Sequence, residues 1–150
     1  MLTNKAKYGV KALIHLAGLA PGETALITDI AVANNIPKKF LDAILLDLRN
    51  AGLVRSKKGP GGGYALARDA DEITVGSAIR ALDGPLAPIA CASRSSFEPC
   101  DDCHDVNSCA IRLVMVDVRD AIAHILDNTS LTDMRERSAA NQIRSLDYTI

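Results

Sequence analysis

Tryptophan is absent from this 150-residue chain, and three Tyr and two Phe make up all of its aromatics. A core must therefore be built from aliphatic side chains, which a hydrophobic content of 48% supplies. No run approaches the roughly 18 apolar residues of a membrane span. The opening stretch, MLTNKAKYGVKALIHLAGLA, is broken by Lys11 and His15, so it reads as an amphipathic helix and not as a secretory leader. No glycine motif sits between a strand and a helix, where nucleotide binding needs one, and no Ser/His/Asp or Cys/His set occurs at useful spacing. These absences predict a soluble, cytoplasmic protein that is not an enzyme and meets no membrane.

The net charge of −1 conceals a division. Residues 1–68 carry ten Lys/Arg against four Asp/Glu, giving +6, and residues 69–150 carry seven against fourteen, giving −7. Only the first half suits a polyanion.

The pattern of elements is mostly helical. Leu2, Tyr8, Val10, Leu13, Ile14, Leu16 and Ala17 outline a first helix ending near Pro21-Gly22. Thr28 is placed to cap a short helix, DIAVANN, and Asn34-Asn35 signals a turn. Pro37 suits the first turn of a longer helix, KKFLDAILLDLRNAG, which is predicted to bury Phe40, Leu41, Ile44, Leu45 and Leu48 and to stop at Gly52. A short helix, a tight turn and a longer helix form a helix-turn-helix pattern. Two β-prone arms, Leu53–Arg55 and Tyr64–Leu66, then flank a Gly/Pro tip with Lys57 and Lys58 beside it, which is a basic wing. ITVGSAIRALDG gives a further short helix. After a loop-like stretch, IRLVMVDVRDAIAHILDN forms a strong helix with Ile111, Val114, Met115, Val118, Ala121, Ile122, Ile125 and Leu126 at 3-4 spacing. Leu113 and Val116 widen that stripe beyond the needs of a lone surface helix, so pairing with a second copy is the expected way to cover it. TSLTDMRERS reads as a capped short helix, and little pattern remains from Ala139 onward. The predicted division is a DNA-binding winged domain over 1–83, a cysteine loop over 84–109, and a dimerisation helix with its tail over 110–150.

With the apolar face of the longer helix turned inward, Lys38, Lys39 and Asp42 face outward early in it. Such a helix fits the major groove, where lysine meets phosphate or guanine acceptors and a carboxylate can accept from a cytosine amine. Lys57 and Lys58 could reach backbone or minor groove, and Lys5, Lys7 and Lys11 could meet flanking phosphates. Taken singly, each lysine is a solvated surface charge. Their joint placement predicts double-stranded DNA as the partner.

The segments LTNKAKYGVKAL and KKGPGGGYALARDADEITVGSAIRALDG, with a cysteine cluster near residue 100, resemble the IscR/NsrR-type family of bacterial winged-helix regulators over about residues 1–135. The resemblance implies a homodimeric transcriptional regulator, read here as a repressor, on a pseudo-palindromic operator. It also implies that Lys39, Asp42 and Lys58 match positions that touch DNA. Glu and Arg stand where this chain has Asp42 and Lys58 in one well-known pattern, which changes the expected operator sequence. The full set of expected DNA-facing residues is Lys5, Tyr8, Thr28, Lys38, Lys39, Asp42, Lys57, Lys58, Gly61 and Gly62.

The four cysteines follow the spacing Cys91-x8-Cys100-x2-Cys103-x5-Cys109. Thiolates in this pattern suit an iron–sulfur cluster, tetrahedral zinc, or redox thiols without a metal. The family resemblance implies a sensing cluster, [4Fe-4S] or [2Fe-2S], with Cys91, Cys103 and Cys109 aligned to ligands. Where some relatives recruit a histidine or an acidic residue for the fourth position, this chain has Arg112 and Lys7, so Cys100 is the expected fourth ligand. His104, Asp101, Asp102 and Asp105 are the spare candidates. Cluster-free disulfide or persulfide sensing, structural zinc and an electron carrier are the other readings.

Overall fold

Thr3 starts the first helix, its hydroxyl accepting from Ala6 N at 3.2 Å, as an N-cap should. The computed structural model describes residues 2–147. Helix α1 spans Asn4–Ala17, α2 Ile27–Asn34 and α3 Lys38–Asn50. Strands β1 (Val54–Lys57) and β2 (Gly63–Leu66) form an antiparallel hairpin in the register Val54 to Leu66 and Lys57 to Gly63. Helix α4 (Val75–Asp83) precedes a long connection that holds one 3-10 turn, Ala90–Ala92. Helices α5 (Ala110–Asp127) and α6 (Leu131–Asp147) complete the chain. The architecture is a winged helix-turn-helix followed by a long helix.

The core is aliphatic, as the missing aromatics require. Leu13, Ile30, Leu41, Ile44, Leu45, Leu48, Leu53, Ile73 and Leu131 are its largest fully buried side chains. Each contributes on the order of 2 kcal/mol by leaving water. An exposed ion pair such as Lys5–Asp47 adds about 0–1 kcal/mol, so burial decides the fold. Leu131, from α6, belongs to the same core cluster as α1 and α3. The start of α6 is pinned there by Val75 N to Thr129 O and Leu131 N to Ile73 O, at 2.9 and 3.0 Å.

Local signals explain the turn. Asn35, at φ +52, ends α2, and Ile36 N returns to Ala31 O at 2.9 Å. Lys11 Nζ donates to Asn34 O at 2.7 Å, so this lysine caps α2. Gly52, at φ +73, follows α3, with Leu53 N bonded to Leu48 O at 2.9 Å. That left-handed angle is why glycine stands there.

Several expectations require correction. The N-cap of α2 is Leu26, not Thr28; the Leu26 carbonyl takes the amides of Asp29 and Ile30, and Thr28 is exposed in the first turn. Phe40 is 49% exposed, because the inward face of α3 centres on Leu41, Ile44, Leu45 and Leu48 and leaves its neighbour about 100° round the helix. Leu2 precedes α1 and is exposed. Strand β1 begins after Leu53 and extends to Lys57. Helix α6 runs on past Ala139 to Asp147, far beyond a short capped helix; Ser130 and Asp133 form the reciprocal cap that launches it. The final residues, 148–150, lie outside the described ones.

Helix α5 has no buried residue. Ile111, Leu113, Val114, Val118, Ile122 and Ile125 are all exposed in the single chain. Its inner side meets α4 through Arg80 and Asp127, paired at both nitrogens, which holds the Asp127 carboxyl below the usual carboxylate range. Among the described residues no helix is long and apolar enough to cross a membrane.

Candidate nucleic-acid interface and thiol loop

Helix α3 and the wing are held on one rigid frame. Tyr64 in β2 exchanges both backbone hydrogen bonds with Ala25, just before α2, at 2.8 and 2.9 Å. The Thr24 hydroxyl donates to the wing-tip carbonyls of Gly61 and Gly62, at 2.9 and 3.1 Å. Thr24 thus positions the tip, a role that no sequence signal disclosed, since its partners are backbone atoms 37 and 38 residues away. The glycines answer to the same tight geometry. Gly63 lies at φ +141, and a Cβ there would come within 2.5 Å of Ala25 O. A Cβ on Gly62 would come within 2.4 Å of Lys57 O.

Outward from this frame stand the expected DNA-facing side chains. Lys38, Lys39 and Asp42 are exposed on the first turns of α3, and Lys57, Lys58 and Gly61 are exposed on the wing. Lys5 lies on α1 in an ion pair with Asp47 at 2.7 Å. Tyr8 is half-buried and packs on the core. Lys39 Nζ sits 4.9 Å from the centroid of the Phe40 ring. Asn4, Lys5, Tyr8, Lys39, Phe40, Ala43 and Ile44 line a cavity of about 340 Å³ between α1 and α3. The exposed Phe40 therefore joins three expected contact residues at one place. It was missed because an aromatic in an amphipathic helix reads first as core.

The thiols are less assembled. Cys91 lies buried in the 3-10 turn, Cys100 is exposed, and Cys103 and Cys109 are half-buried. The neighbouring Cys91 thiol pushes the Cys100 pKa up. The charge of Cys91, burial, and the charges of Asp102 and Cys103 push it the same way. Cys109 is the N-cap residue of α5. Asp105 is committed to the loop itself, accepting from Asn107 N at 3.0 Å and from Ser108 Oγ at 2.6 Å. Those bonds hold its carboxyl below the usual range. Among the described residues no three Cys, His, Asp or Glu side chains converge as a metal site. The donor set still fits an iron–sulfur cluster or zinc in kind and number: four thiols, with Cys91 and Cys103 near enough to Cys100 to raise its pKa.

Arg112, at the position where a histidine ligand occurs in some relatives, turns to structure. Its Nε donates to Cys91 O at 2.8 Å. Two turns along the same face, Arg119 Nη1 donates to Ala92 O at 2.7 Å.

Residues 2–137 match the family model described as Rrf2, iron-dependent transcriptional regulator. An rrf2-like HTH-type transcriptional regulator of Rhodobacter capsulatus is 43% identical over 137 residues, covering 89% of this chain and 91% of that protein. The structure of CymR, the global cysteine regulator of Bacillus subtilis, superposes with a TM-score of 0.75 at 34% identity, over 91% of this chain and 97% of that one. The structure of IscR from T. potens gives 0.73 at 29% identity, over 92% and 88%.

The wing geometry separates structural glycines from contact lysines. Gly63→Ala should destabilise the protein by roughly 1–3 kcal/mol, since it combines a disfavoured φ with a backbone collision. Lys58→Ala, at an exposed site, should stay within about 0.5 kcal/mol of the parent. Urea denaturation of both variants measures the contrast, and equal midpoints would contradict it.

Proposed function

The chain belongs to the Rrf2 family of transcriptional regulators, and from that premise we propose that it is a cytoplasmic repressor that binds a pseudo-palindromic operator as a homodimer. The observation that carries this reading is the exposed set Lys38, Lys39 and Asp42 on α3, locked beside a basic wing by Ala25 and Thr24. The lysines meet phosphates, and Asp42 reads bases because a carboxylate is repelled by the backbone. The unburied stripe of α5 supports the second copy. Two chains joined there would place two recognition helices on one face of a duplex.

Control lies in the cysteine loop. An iron–sulfur cluster held by Cys91, Cys100, Cys103 and Cys109 is the first reading, supported by four soft donors within 19 residues and by the family resemblance. Such a cluster supplies a redox- and iron-sensitive group whose gain or loss reshapes the loop. This chain's own residues do the rest. Cys91 anchors the loop in the interior, Cys100 stands exposed with Cys103 half-buried beside it in sequence, and Cys109 opens α5. A second reading, a metal-free thiol switch, is supported by four cysteines that are all free thiols, Cys91 buried and Cys100 exposed.

Operator affinity should fall steeply with salt as phosphate contacts release counterions. Lys58→Ala should weaken binding on every sequence and flatten the salt slope by about one phosphate's worth. Asp42→Ala should instead change which base is preferred. Equal losses on all operator variants would overturn the assignment of roles.

Purified without oxygen, the parent should carry iron and sulfide in near-equal amounts and absorb visible light. Cys100→Ser should lose most of both. An unchanged iron content and spectrum in that variant would show that Cys100 is not a ligand. Colourless, iron-free parent protein would favour the thiol switch.

A further inference from the structure

Two arginines of α5 hold the backbone of the thiol loop, in a way that neither the family's DNA surface nor its metal donors accounts for. Arg112 and Arg119 lie seven residues apart, on one helix face. Arg112 Nε donates to Cys91 O at 2.8 Å, and Arg119 Nη1 donates to the next carbonyl, Ala92 O, at 2.7 Å. Both acceptors belong to the 3-10 turn, the most buried part of the cysteine segment, with Cys91 4% and Ala92 1% exposed. Each guanidinium also holds a second piece. Arg112 stands 5.9 Å from the Phe97 ring centroid and reaches Val106 O at 3.5 Å, so it spans both limbs of the loop. Arg119, itself only 11% exposed in its side chain, is braced by Asp120, which pairs with Arg94 at 3.1 Å. Hydrogen bonds from a charged group to a carbonyl are the strong kind, and a rigid planar fork holds two partners in a fixed geometry that a flexible ammonium does not pre-organise.

We propose that Arg112 and Arg119 are positioning residues that lock the Cys91 turn to α5, so that any rearrangement of the thiol loop is transmitted to this helix. The adjacent face of the same helix carries the exposed stripe Val114, Val118, Ile122 and Ile125. A shift or rotation of α5 would therefore alter the spacing of the two winged domains. The transmission role rests on the loop-controlled DNA binding proposed above, whereas the lock itself stands on the two hydrogen bonds.

The test uses the full-length protein and two readouts. In chelator-treated, reduced protein, the iodoacetamide alkylation rate of Cys91 is followed by peptide mass spectrometry. Arg112→Ala/Arg119→Ala should raise it about tenfold or more, the equivalent of losing one charged hydrogen bond. Operator affinity is then compared between the reduced, anaerobically purified state and the diamide-oxidised state. The parent should show a clear ratio and the double variant a ratio near one. If the double variant does not fold, Arg112→Lys and Arg119→Lys, which keep the charge but lose the fork, are put through both measurements. Parent-like alkylation together with a parent-like affinity ratio overturns the lock. A parent ratio of one, with alkylation still raised in the variant, instead overturns the loop-controlled regulation and the transmission role with it.

Discussion

The constraint on which the rest depends is the apolar stripe of α5. A helix of 18 residues with none buried leaves Ile111, Leu113, Val114, Val118, Ile122 and Ile125 in water. Each of these side chains, 36–68% exposed, forgoes on the order of 1 kcal/mol by staying there. The winged domain cannot absorb them, because its interior is already filled by α1, α3, α4 and Leu131. A second copy of the same stripe covers them by symmetry. In the proposed dimer, that pairing sets the distance between two DNA-reading surfaces, and whatever moves α5 resets it.

The thiol loop is well placed to move α5. It runs from the end of α4 to the start of α5, so it bridges the DNA-reading domain and the long helix. Its buried end is fixed by Cys91 and its carbonyl partners, whereas its outer limb carries Cys100 with solvent around it. The Arg80–Asp127 pair holds the far end of α5 against α4.

The sequence made much of this legible, for identifiable reasons. Helical periodicity located α1, α3 and α5, and the glycine run with its lysines located the wing, because local turn chemistry governs both. Phe40 misled because hydrophobicity alone does not fix which side of a helix face a residue occupies. Thr28 misled because the backbone of Leu26 had already begun the helix two residues earlier. The length of α6 was hidden by a polar sequence whose start is held by tertiary contacts at Thr129 and Leu131. Thr24, Arg112 and Arg119 were illegible as positioning residues, since their partners are backbone carbonyls distant in sequence. The cysteine spacing indicated candidate donors, which do not converge as a metal site among the described residues.

The most direct test of the account is the stoichiometry of the DNA complex. Native mass spectrometry of the full chain with an operator duplex, selected by the protein from its own genome, weighs the DNA, dimer and symmetry claims together. The account predicts two 15.9 kDa chains per duplex at every protein concentration that gives a complex. It also predicts loss of that complex when Val118→Asp and Ile122→Asp disrupt the α5 stripe. A stable one-chain complex, or a two-chain complex that survives those substitutions, would contradict it.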